Sequence, residues 1–505
     1  MIGSIKSTFR DSAIYGFGNI AVKLVGLVLI PIYTDKRYFS TEEFGIIGML
    51  DISGLVLLAL LSFSLPQSFT RWYWDKEHMD NQKGIFFLTF TAQIIISAAL
   101  CIVLIPLSGN LSKMLFQSAD WTQAIIFLIL AMAIQAVNNT ISSLMRLQSR
   151  SVLYSITNII KLAIVLVLTL YFILVQKMGI EGIYLAQVIG NTAFVVMLSP
   201  YTVRNCKLFF GFKTLKEMNV YGFPLFIAGV AAVLLSVIDR YSLNTMSVLR
   251  SVALYTLAVK LSSVIKLALV DSVKLAILPT FLKKMDSPDN TRFYSKILTY
   301  TSLVIMVAIV GVSLFSMEII KLISTSKDFW GAIAIVPILS LSIFFINMRE
   351  VTVYGLHITK KSRIVGSIVV AATIFSLIMN IILIPLWDIT GAAIATLLSQ
   401  LFYWIGCYVF AQKAFYVPYE MRKIFILFVT GALFSFSSLF LNDLDLAIRL
   451  PVKFFLAFIF PVVIYFFNFY DRVEIDAIKG FTRKWSNIRN LKKNLMSLKD
   501  IKDED

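Results

Sequence analysis

Long apolar runs divided by short polar segments extend over most of the chain. Fourteen of them have about the 17–25 residues that an α-helix needs to cross a hydrocarbon layer roughly 30 Å thick. The predicted spans are 12–34, 44–70, 84–106, 121–144, 152–175, 182–203, 219–240, 252–278, 297–316, 331–356, 364–386, 389–411, 424–441 and 450–469. Only the segment Pro385–Asp388 separates the eleventh span from the twelfth, and Pro with Asp is typical of a turn.

The composition supports a membrane protein. The chain has 505 residues, of which 58% are hydrophobic and 15% are charged, and its mean hydropathy is +0.82. Soluble proteins carry about 25% charged residues. The first run follows Lys6 and Arg10 and lacks a small-residue cleavage site, so we expect a retained span rather than a signal peptide. The sequence therefore predicts an all-α integral membrane protein.

Basic residues between the spans predict the orientation. With the N-terminus placed in the cytoplasm, cytoplasmic segments hold 30 Lys and Arg residues and external loops hold 8. Cytoplasmic loops retain such residues, so we expect both termini to be cytoplasmic. This bias also accounts for much of the net charge of +17, and no nucleic-acid partner is expected.

Three pairs of short motifs indicate an internal repeat. Tyr15-Gly-Phe corresponds to Tyr221-Gly-Phe, Leu65-Pro to Leu278-Pro, and Gly179-Ile-Glu-Gly to Asp388-Ile-Thr-Gly, at offsets between 206 and 213 residues. A six-helix unit repeated in parallel gives two lobes related by a pseudo-two-fold axis along the membrane normal. We predict an N-lobe over 1–210, a C-lobe over 211–415, two further spans over 416–470 and a tail over 471–505.

Apolar residues in the tail recur at helical spacing between basic residues. This pattern is typical of an amphipathic helix on the anionic inner leaflet, although a solvated tail fits it as well. The residues are Trp485, Ile488, Leu491, Leu495 and Leu498.

Basic residues inside the spans are the main functional signal, since a charge at the bilayer centre costs about 2.5–3.5 kcal/mol on insertion scales. Lys23 lies near the middle of the first span on a polar stripe that includes Asn19. We expect that stripe to line a cavity. For Lys453 we expect snorkelling to an interface. For Lys161 and Lys274 two alternatives stay open, snorkelling to an interface and lining a cavity. The basic residues are Lys23, Lys161, Lys260, Lys266, Lys274, Arg349 and Lys453, with Arg240 at a span end.

The acidic neighbours of these residues shape the hypothesis. Asp271 lies one turn from Lys274 and could neutralise it, whereas Lys260 has no acidic residue near it along the chain. Adjacent residues on a helix diverge by about 100°, so we expect neither Asp239–Arg240 nor Arg349–Glu350 to form a salt bridge. Such a cationic interior favours an anionic ligand by Coulomb attraction.

Several motifs resemble one family of transporters. Phe39-Ser-Thr-Glu-Glu-Phe-Gly45 follows the first span, Arg71-Trp-Tyr ends the second, and Asp239-Arg-Tyr ends the seventh. With the 6+6+2 layout, they resemble the Wzx-type polysaccharide-biosynthesis flippases of the MOP superfamily, which also contains MATE exporters. The resemblance implies a V-shaped fold and alternating access in a bacterial cytoplasmic membrane. It also implies basic residues on the first, second and eighth spans, where Lys23, Arg71 and Lys260 lie.

The resulting hypothesis is a flippase that moves an undecaprenyl-diphosphate-linked oligosaccharide from the inner to the outer leaflet. Its partners would be the anionic lipid-linked glycan, membrane lipids, and a polysaccharide polymerase with other assembly proteins. The predicted substrate-binding residues are Lys23, Asn19, Arg71, Lys260, Arg240 and Arg349. The candidates for ion coupling are Asp51, Asp239, Asp271 and Glu350.

The alternatives are a lipid II flippase, a MATE-type drug exporter and, remotely, a membrane polysaccharide polymerase. The Asp443-Leu-Asp445 segment formally matches a metal motif but lies in a short loop, and the sequence has no Walker-type phosphate loop. The three cysteines and two histidines show no metal-site spacing. We therefore expect no enzymatic activity, no cofactor and no metal.

Overall fold

The computed structural model describes residue 26 and residues 28–274, 290–359, 361–467 and 469–471. These residues form helices and connecting turns, and none of them lies in a β-strand. Four predicted features lie outside this part of the chain: Lys23 and Asn19, most of the first span, the Leu278-Pro279 motif of the repeat, and the amphipathic tail.

Twelve helical segments in the described residues are long and apolar enough to cross a membrane. Each coincides with a span predicted from the sequence, and the longest contains two of them. We number the spans 1 to 14 as predicted. The segments are Thr41–Ser62, Lys76–Leu104, Thr122–Leu147, Ser151–Val175, Ile180–Met197, Phe212–Leu235, Leu249–Lys274, Asn290–Leu314, Lys327–Ile358, Arg363–Ala414, Met421–Leu441 and Leu446–Phe466.

Shorter helices extend or connect the spans. Two spans include a π-helical turn, over Tyr171–Val175 and Lys266–Val270. Two include a 3₁₀ segment at their start, over Lys76–Asn81 and Lys327–Ile335. The short α-helices are Ile30–Tyr33, Leu65–Tyr73, Ser108–Phe116, Ser199–Arg204, Ile238–Met246, Ser316–Ile323 and Tyr354–Ile358.

The turn predicted between spans 11 and 12 is present as a sharp kink. The helix Ser362–Ala414 contains two residues with non-helical backbone angles, Trp387 and Asp388, and the φ of Asp388 is +46°. The Asp388 carboxylate accepts hydrogen bonds from the hydroxyls of Ser247 at 2.6 Å and Ser251 at 2.7 Å. These bonds attach the kink to the start of span 8.

Span 2 begins earlier than predicted and is interrupted. Ser40 and Glu43 form a capping box: the Ser40 hydroxyl accepts from the Glu43 N–H, and the Glu43 carboxylate accepts from the Ser40 N–H. The helix ends at Ser62, and Phe63 and Ser64 both have left-handed backbone angles before the helix Leu65–Tyr73 begins.

Spans 2 and 8 pack backbone to backbone at one end of the bundle. A Cβ atom placed on Gly45 would lie 2.4 Å from the carbonyl oxygen of Leu249, and one on Gly48 would lie 2.6 Å from the Thr256 hydroxyl. Only glycine permits this approach. The largest buried apolar cluster surrounds this contact and includes Tyr184 of span 6 and Phe329 at the start of span 10. It therefore joins elements from both halves of the chain.

Candidate functional site

An ion pair between spans 2 and 8 occupies the middle of the bundle. The Nζ atom of Lys260 lies 3.3 Å from a carboxylate oxygen of Asp51, a residue 209 positions away along the chain. Both residues are ten or eleven positions from the start of their spans, which corresponds to a depth of roughly 15 Å. The sequence has no acidic residue near Lys260 along the chain, and helix packing supplies a partner that sequence proximity does not reveal.

Aromatic rings from span 2 itself and from two further elements surround this pair. The Lys260 Nζ lies 5.9 Å from the centre of the Tyr33 ring and 5.5 Å from that of Phe44. The Tyr184 hydroxyl lies 3.3 Å from both an Asp51 carboxylate oxygen and the Ile47 carbonyl oxygen. The cation–π contacts and the hydrogen bond from the Tyr184 hydroxyl hold the two charged side chains in place.

The ion pair is nevertheless accessible. The exposed fraction is 40% for the Asp51 side chain and 23% for the Lys260 side chain. A partly exposed ion pair contributes only about 0–1 kcal/mol to the stability of the folded protein, because water competes for both partners. A stronger anion could therefore displace Asp51 from Lys260 without disrupting the helices.

Arg71 stands at the end of the helix Leu65–Tyr73 and faces span 7. Its guanidinium lies 4.4 Å from the centre of the Tyr221 ring and 5.7 Å from that of Trp72. The side chain is exposed, and among the described residues no carboxylate contacts it. Arg71 therefore offers an uncompensated positive charge at the contact between spans 2 and 7.

Asp239 and Arg240 pair with each other, contrary to the prediction. A carboxylate oxygen of Asp239 accepts from the Arg240 backbone N–H at 2.7 Å and lies 3.4 Å from its Nε atom. The second oxygen accepts from the Tyr255 hydroxyl at 2.6 Å and from the Thr396 hydroxyl at 3.3 Å. Asp239 is buried, so these bonds among spans 7, 8 and 12 supply the partners that its charge requires.

Arg349 and Glu350 also form a salt bridge that the sequence argued against. The Arg349 guanidinium lies 2.5 Å from the Glu350 carboxylate and stacks 4.4 Å above the Tyr403 ring. Glu350 additionally lies 2.7 Å from Lys274. The prediction failed because a helical wheel describes only the directions of Cβ atoms. The three methylenes of an arginine side chain let its guanidinium bend back to the neighbouring residue.

Lys453 does not snorkel to an interface. It is fully buried, and its Nζ contacts both Glu318 oxygens at 2.8 and 3.0 Å and the Asn442 side-chain oxygen at 3.0 Å. Arg449 lies 2.8 Å from the same carboxylate. Glu318 thus ties span 14 to the helix that follows span 9, a role that no local signal in the sequence indicates.

The predicted site residues therefore form several separate groups. Lys260 and Asp51 are in contact, whereas Arg71, Arg240 and Arg349 each belong to a different local cluster. Asp271 follows the π-helical turn of span 8. Within the described ranges, no group of three or more His, Cys, Asp or Glu side chains is arranged to hold a metal ion.

Sequence reasoning missed a polar stripe on span 4. Gln135, Asn139 and Arg146 lie on one face of the helix, and Lys161 of span 5 donates a hydrogen bond to Gln135 at 3.1 Å. The signal was available in the sequence, since polar residues at 135, 139, 142 and 146 follow steps of four, three and four residues.

Comparison with known proteins identifies the family. The sequence profile of a family described as polysaccharide biosynthesis protein matches residues 8–285. The chain belongs to this family. The match covers more than half of this polysaccharide biosynthesis protein and includes both Asp51 and Lys260. The family predicted from the sequence motifs is therefore confirmed.

One curated relative of this polysaccharide biosynthesis protein is an uncharacterized membrane protein of Methanocaldococcus jannaschii. The two are 24% identical over 307 residues, which cover 57% of this chain and 59% of the relative. The chain thus spans less than two thirds of the length of the curated relative it matches.

Solved structures establish the fold. A lipid II flippase, MurJ, in an inward closed conformation superposes with a TM-score of 0.66 at 15% identity, covering 90% of this chain and 99% of that one. An inward-facing MATE family multidrug transporter of the MOP superfamily superposes with a TM-score of 0.62 at 14% identity, covering 82% of this chain and 95% of that one. The MATE transporter VcmN of Vibrio cholerae gives 0.55 at 16% identity, with coverages of 81% and 96%. The predicted MOP-type fold is confirmed.

Proposed function

We propose that this protein is a flippase that carries an undecaprenyl-diphosphate-linked oligosaccharide from the inner to the outer leaflet by alternating access. Family membership supports a role in polysaccharide biosynthesis, and the shared fold of a lipid II flippase and of MATE transporters supports transport rather than catalysis. The observation that carries the proposal is the accessible Asp51–Lys260 pair, which joins spans 2 and 8 at mid-depth.

In this mechanism the diphosphate competes with Asp51 for Lys260. A diphosphate carries more negative charge than one carboxylate, so it attracts the ammonium more strongly in a low-dielectric interior. Its binding would free Asp51 and remove one tie between spans 2 and 8. Freed Asp51 could then take up a coupling cation or proton, which makes it the strongest of the four coupling candidates.

The end of the bundle predicted to be external is closed by contacts between the two halves. The Thr325 hydroxyl donates to the Thr34 carbonyl at 2.8 Å, and the Asn244 amide donates to the Leu115 carbonyl at 2.7 Å. Lys36 lies 2.6 Å from Asp328. In the proposed cycle these contacts, with the glycine contacts of span 2, break when the lobes 1–210 and 211–415 rock apart.

The other predicted residues have proposed roles that follow from their contacts. Arg71 is uncompensated and would attract the phosphates as they enter from the inner leaflet. Arg240 and Arg349 are paired with neighbouring carboxylates, so we assign them supporting roles in the C-lobe. Lys23 and Asn19 keep their proposed role in binding the diphosphate from span 1. The protein would act in the cytoplasmic membrane with both termini inside.

Purified protein in proteoliposomes tests this proposal, with a fluorescent undecaprenyl-diphosphate-linked oligosaccharide as the probe. Lys260→Gln should lower the flipping rate by about tenfold or more, since it removes one partner of a partly desolvated charge contact. Lys113→Gln is the matched control, because Lys113 is exposed on a connecting helix. Wild-type flipping rates in correctly folded Lys260→Gln protein would rule out the proposed phosphate contact.

A lipid II flippase is the second candidate, favoured by the structural match to MurJ. The same vesicles loaded with labelled lipid II distinguish the two functions. Faster transport of lipid II than of the oligosaccharide would replace the first proposal with the second. A multidrug exporter would instead move a cationic dye and neither lipid.

A further inference from the structure

We infer that the polar stripe of span 4, together with Lys161, is a binding site for an acidic sugar, one that carries a carboxylate or phosphate group. The inference rests on the proposed function, because it assigns a place to part of the glycan of the lipid-linked substrate. The site is separate from the Asp51–Lys260 pair and lies among spans 4, 5 and 6.

Lys161 is a cation near mid-depth without an anionic partner. It lies ten residues after the start of span 5, about 15 Å along the helix. Its Nζ donates to the neutral side-chain oxygen of Gln135 at 3.1 Å and lies 5.2 Å from the centre of the Phe194 ring. Within the described part of the chain no carboxylate contacts it. Lys260, Lys274 and Lys453, by contrast, each contact a carboxylate.

Lys161 faces the interior of the bundle and not the lipid. Four strongly exposed apolar residues of span 5 flank Lys161 along the chain: Val152, Ile156, Ile159 and Val167. At 100° per residue they lie on the opposite side of the helix from Lys161. A lone ammonium in this position is costly unless water or an anion solvates it.

A hydrogen-bonded series connects Lys161 to the end of span 4. The Gln135 amide donates to the Asn139 side-chain oxygen at 2.8 Å, and the Ser143 hydroxyl donates to the Asn139 carbonyl at 2.8 Å. Arg146 donates to the Ser143 hydroxyl at 2.8 Å. The series therefore has a positive group at each end and neutral amides and a hydroxyl between them.

Span 4 is largely enclosed by the rest of the protein. From Ala124 to Met145 none of its residues is exposed, and Gln135 and Asn139 are half-buried. Arg146, at the end predicted to be cytoplasmic, is exposed, whereas Ser143 between it and Asn139 is buried. The stripe is therefore open to solvent at Arg146 and half-buried beside Lys161.

The chemistry of the stripe fits an acidic sugar better than a simple ion. Asn and Gln amides supply both donors and acceptors for hydroxyl groups. The rings of Phe194, beside Lys161, and of Tyr154, whose centre lies 5.9 Å from the Arg146 guanidinium, are buried and hold the two cationic side chains in place. The ammonium of Lys161 then neutralises the acidic substituent in a low-dielectric site.

Binding to purified protein in detergent tests the site without requiring transport. The probes are two soluble oligosaccharides that differ only in one glucuronate in place of glucose. The wild type should bind the acidic glycan at least about tenfold more tightly, and Lys161→Gln should remove that preference because the counter-charge is lost. Lys161→Arg should retain it. Equal binding of both glycans by the wild type, or an unchanged preference in Lys161→Gln, overturns the inference.

Two further comparisons separate the possible causes. Gln135→Leu removes the amide without changing a charge. It should weaken the binding of both glycans, since one neutral hydrogen bond is lost, and leave the ratio of the two affinities within about twofold of the wild-type ratio. In proteoliposomes, Lys161→Gln should lower the flipping rate of the acidic lipid-linked glycan and leave that of the neutral one unchanged. Retained acidic-glycan binding without any flipping by the wild type would reject the proposed function and leave this site standing.

A phosphate group on the glycan would make the same contact with Lys161. A third probe with a sugar phosphate in place of the glucuronate distinguishes the two acidic substituents. Tighter binding of either acidic probe than of the neutral glycan supports the site, and the ratio between the two acidic probes identifies the preferred substituent.

Discussion

Glu318 lies 2.8 Å from Lys453, a fully buried lysine in span 14. The same carboxylate contacts Arg449 at 2.8 Å, so one anion balances two cations at the end of the bundle predicted to be external. Separating a buried ion from its partner costs more than the pair itself contributes, because the remaining charge is left desolvated. This single acidic side chain therefore contributes to the attachment of span 14, together with the apolar packing of Phe460 and Ile464.

Glu318→Gln should destabilise the protein by about 3 kcal/mol or more, the cost of removing one partner of a buried ion pair. Thermal unfolding in detergent measures the effect. Glu77→Gln provides the matched control, since Glu77 is exposed in the 3₁₀ segment before span 3. If both variants unfold at the same temperature as the wild type, Glu318 has no such role.

Acid should release the contacts at the opposite end of the C-lobe. Hydrogen bonds from Lys296 and Lys423 lower the pKa of Asp471. Burial raises the pKa of Glu420, but hydrogen bonds from Lys296 and Thr299 outweigh it, and the net pKa is lowered. A lowered folded-state pKa contributes stability above the unfolded values of about 3.9 and 4.3, and the contribution is lost as the pH falls through the folded values.

Asp471→Asn should therefore lower the melting temperature at pH 7, and the difference from the wild type should shrink as the pH falls below about 3.9 and the wild-type carboxyl becomes protonated too. Melting curves recorded from pH 7 downwards give the comparison. Asp80→Asn is the control, because Asp80 is exposed in the 3₁₀ segment at the start of span 3. A difference between Asp471→Asn and the wild type that does not change with pH would contradict the assignment.

Enlarging Gly45 should open the predicted external end. A Cβ atom at this position would lie 2.4 Å from the backbone oxygen of Leu249, so Gly45→Ala forces spans 2 and 8 apart. The yield of a disulfide between Thr34→Cys and Thr325→Cys reports on closure. We expect that yield to fall in Gly45→Ala protein and to stay unchanged in Gly311→Ala, where an added Cβ has no neighbour within 4 Å.

Unchanged cross-linking in Gly45→Ala would mean that the spans tolerate the methyl group without separating. Gly48→Val gives a second reading of the same contact, since its Cβ meets the Thr256 side chain. Both variants should reduce closure if the glycine contacts hold this end together.

Tyr255→Phe should lower the free energy of unfolding by about 1–3 kcal/mol, because a buried acceptor loses its donor. The Tyr255 hydroxyl donates to Asp239 at 2.6 Å and lies 2.9 Å from the Thr396 hydroxyl. Tyr416→Phe removes the same group from a side chain that is 70% exposed, and it should leave the melting temperature unchanged. Equal melting temperatures for the two variants would show that Asp239 finds another partner.

Local sequence signals predicted the helices and the kink between spans 11 and 12, but not the interruption of span 2 at Phe63 and Ser64. Pro385 and Asp388 indicated the kink between spans 11 and 12, because neither residue type favours a continuous helix. The same reasoning failed for Arg349 and Glu350, since helical geometry does not limit where a long flexible side chain ends. It also failed for Lys453, whose partner Glu318 is 135 positions away.

The sequence by itself determined the membrane environment, the approximate positions of the spans and the family, because each depends on residues that are close together along the chain. Tertiary structure alone decided which charges neutralise one another. A buried charge selects its partner by distance in space, and helix packing brings Asp51 to Lys260 across 209 positions. Lys161 differs from these lysines because, among the residues that the structure describes, packing brought it a neutral amide and no carboxylate.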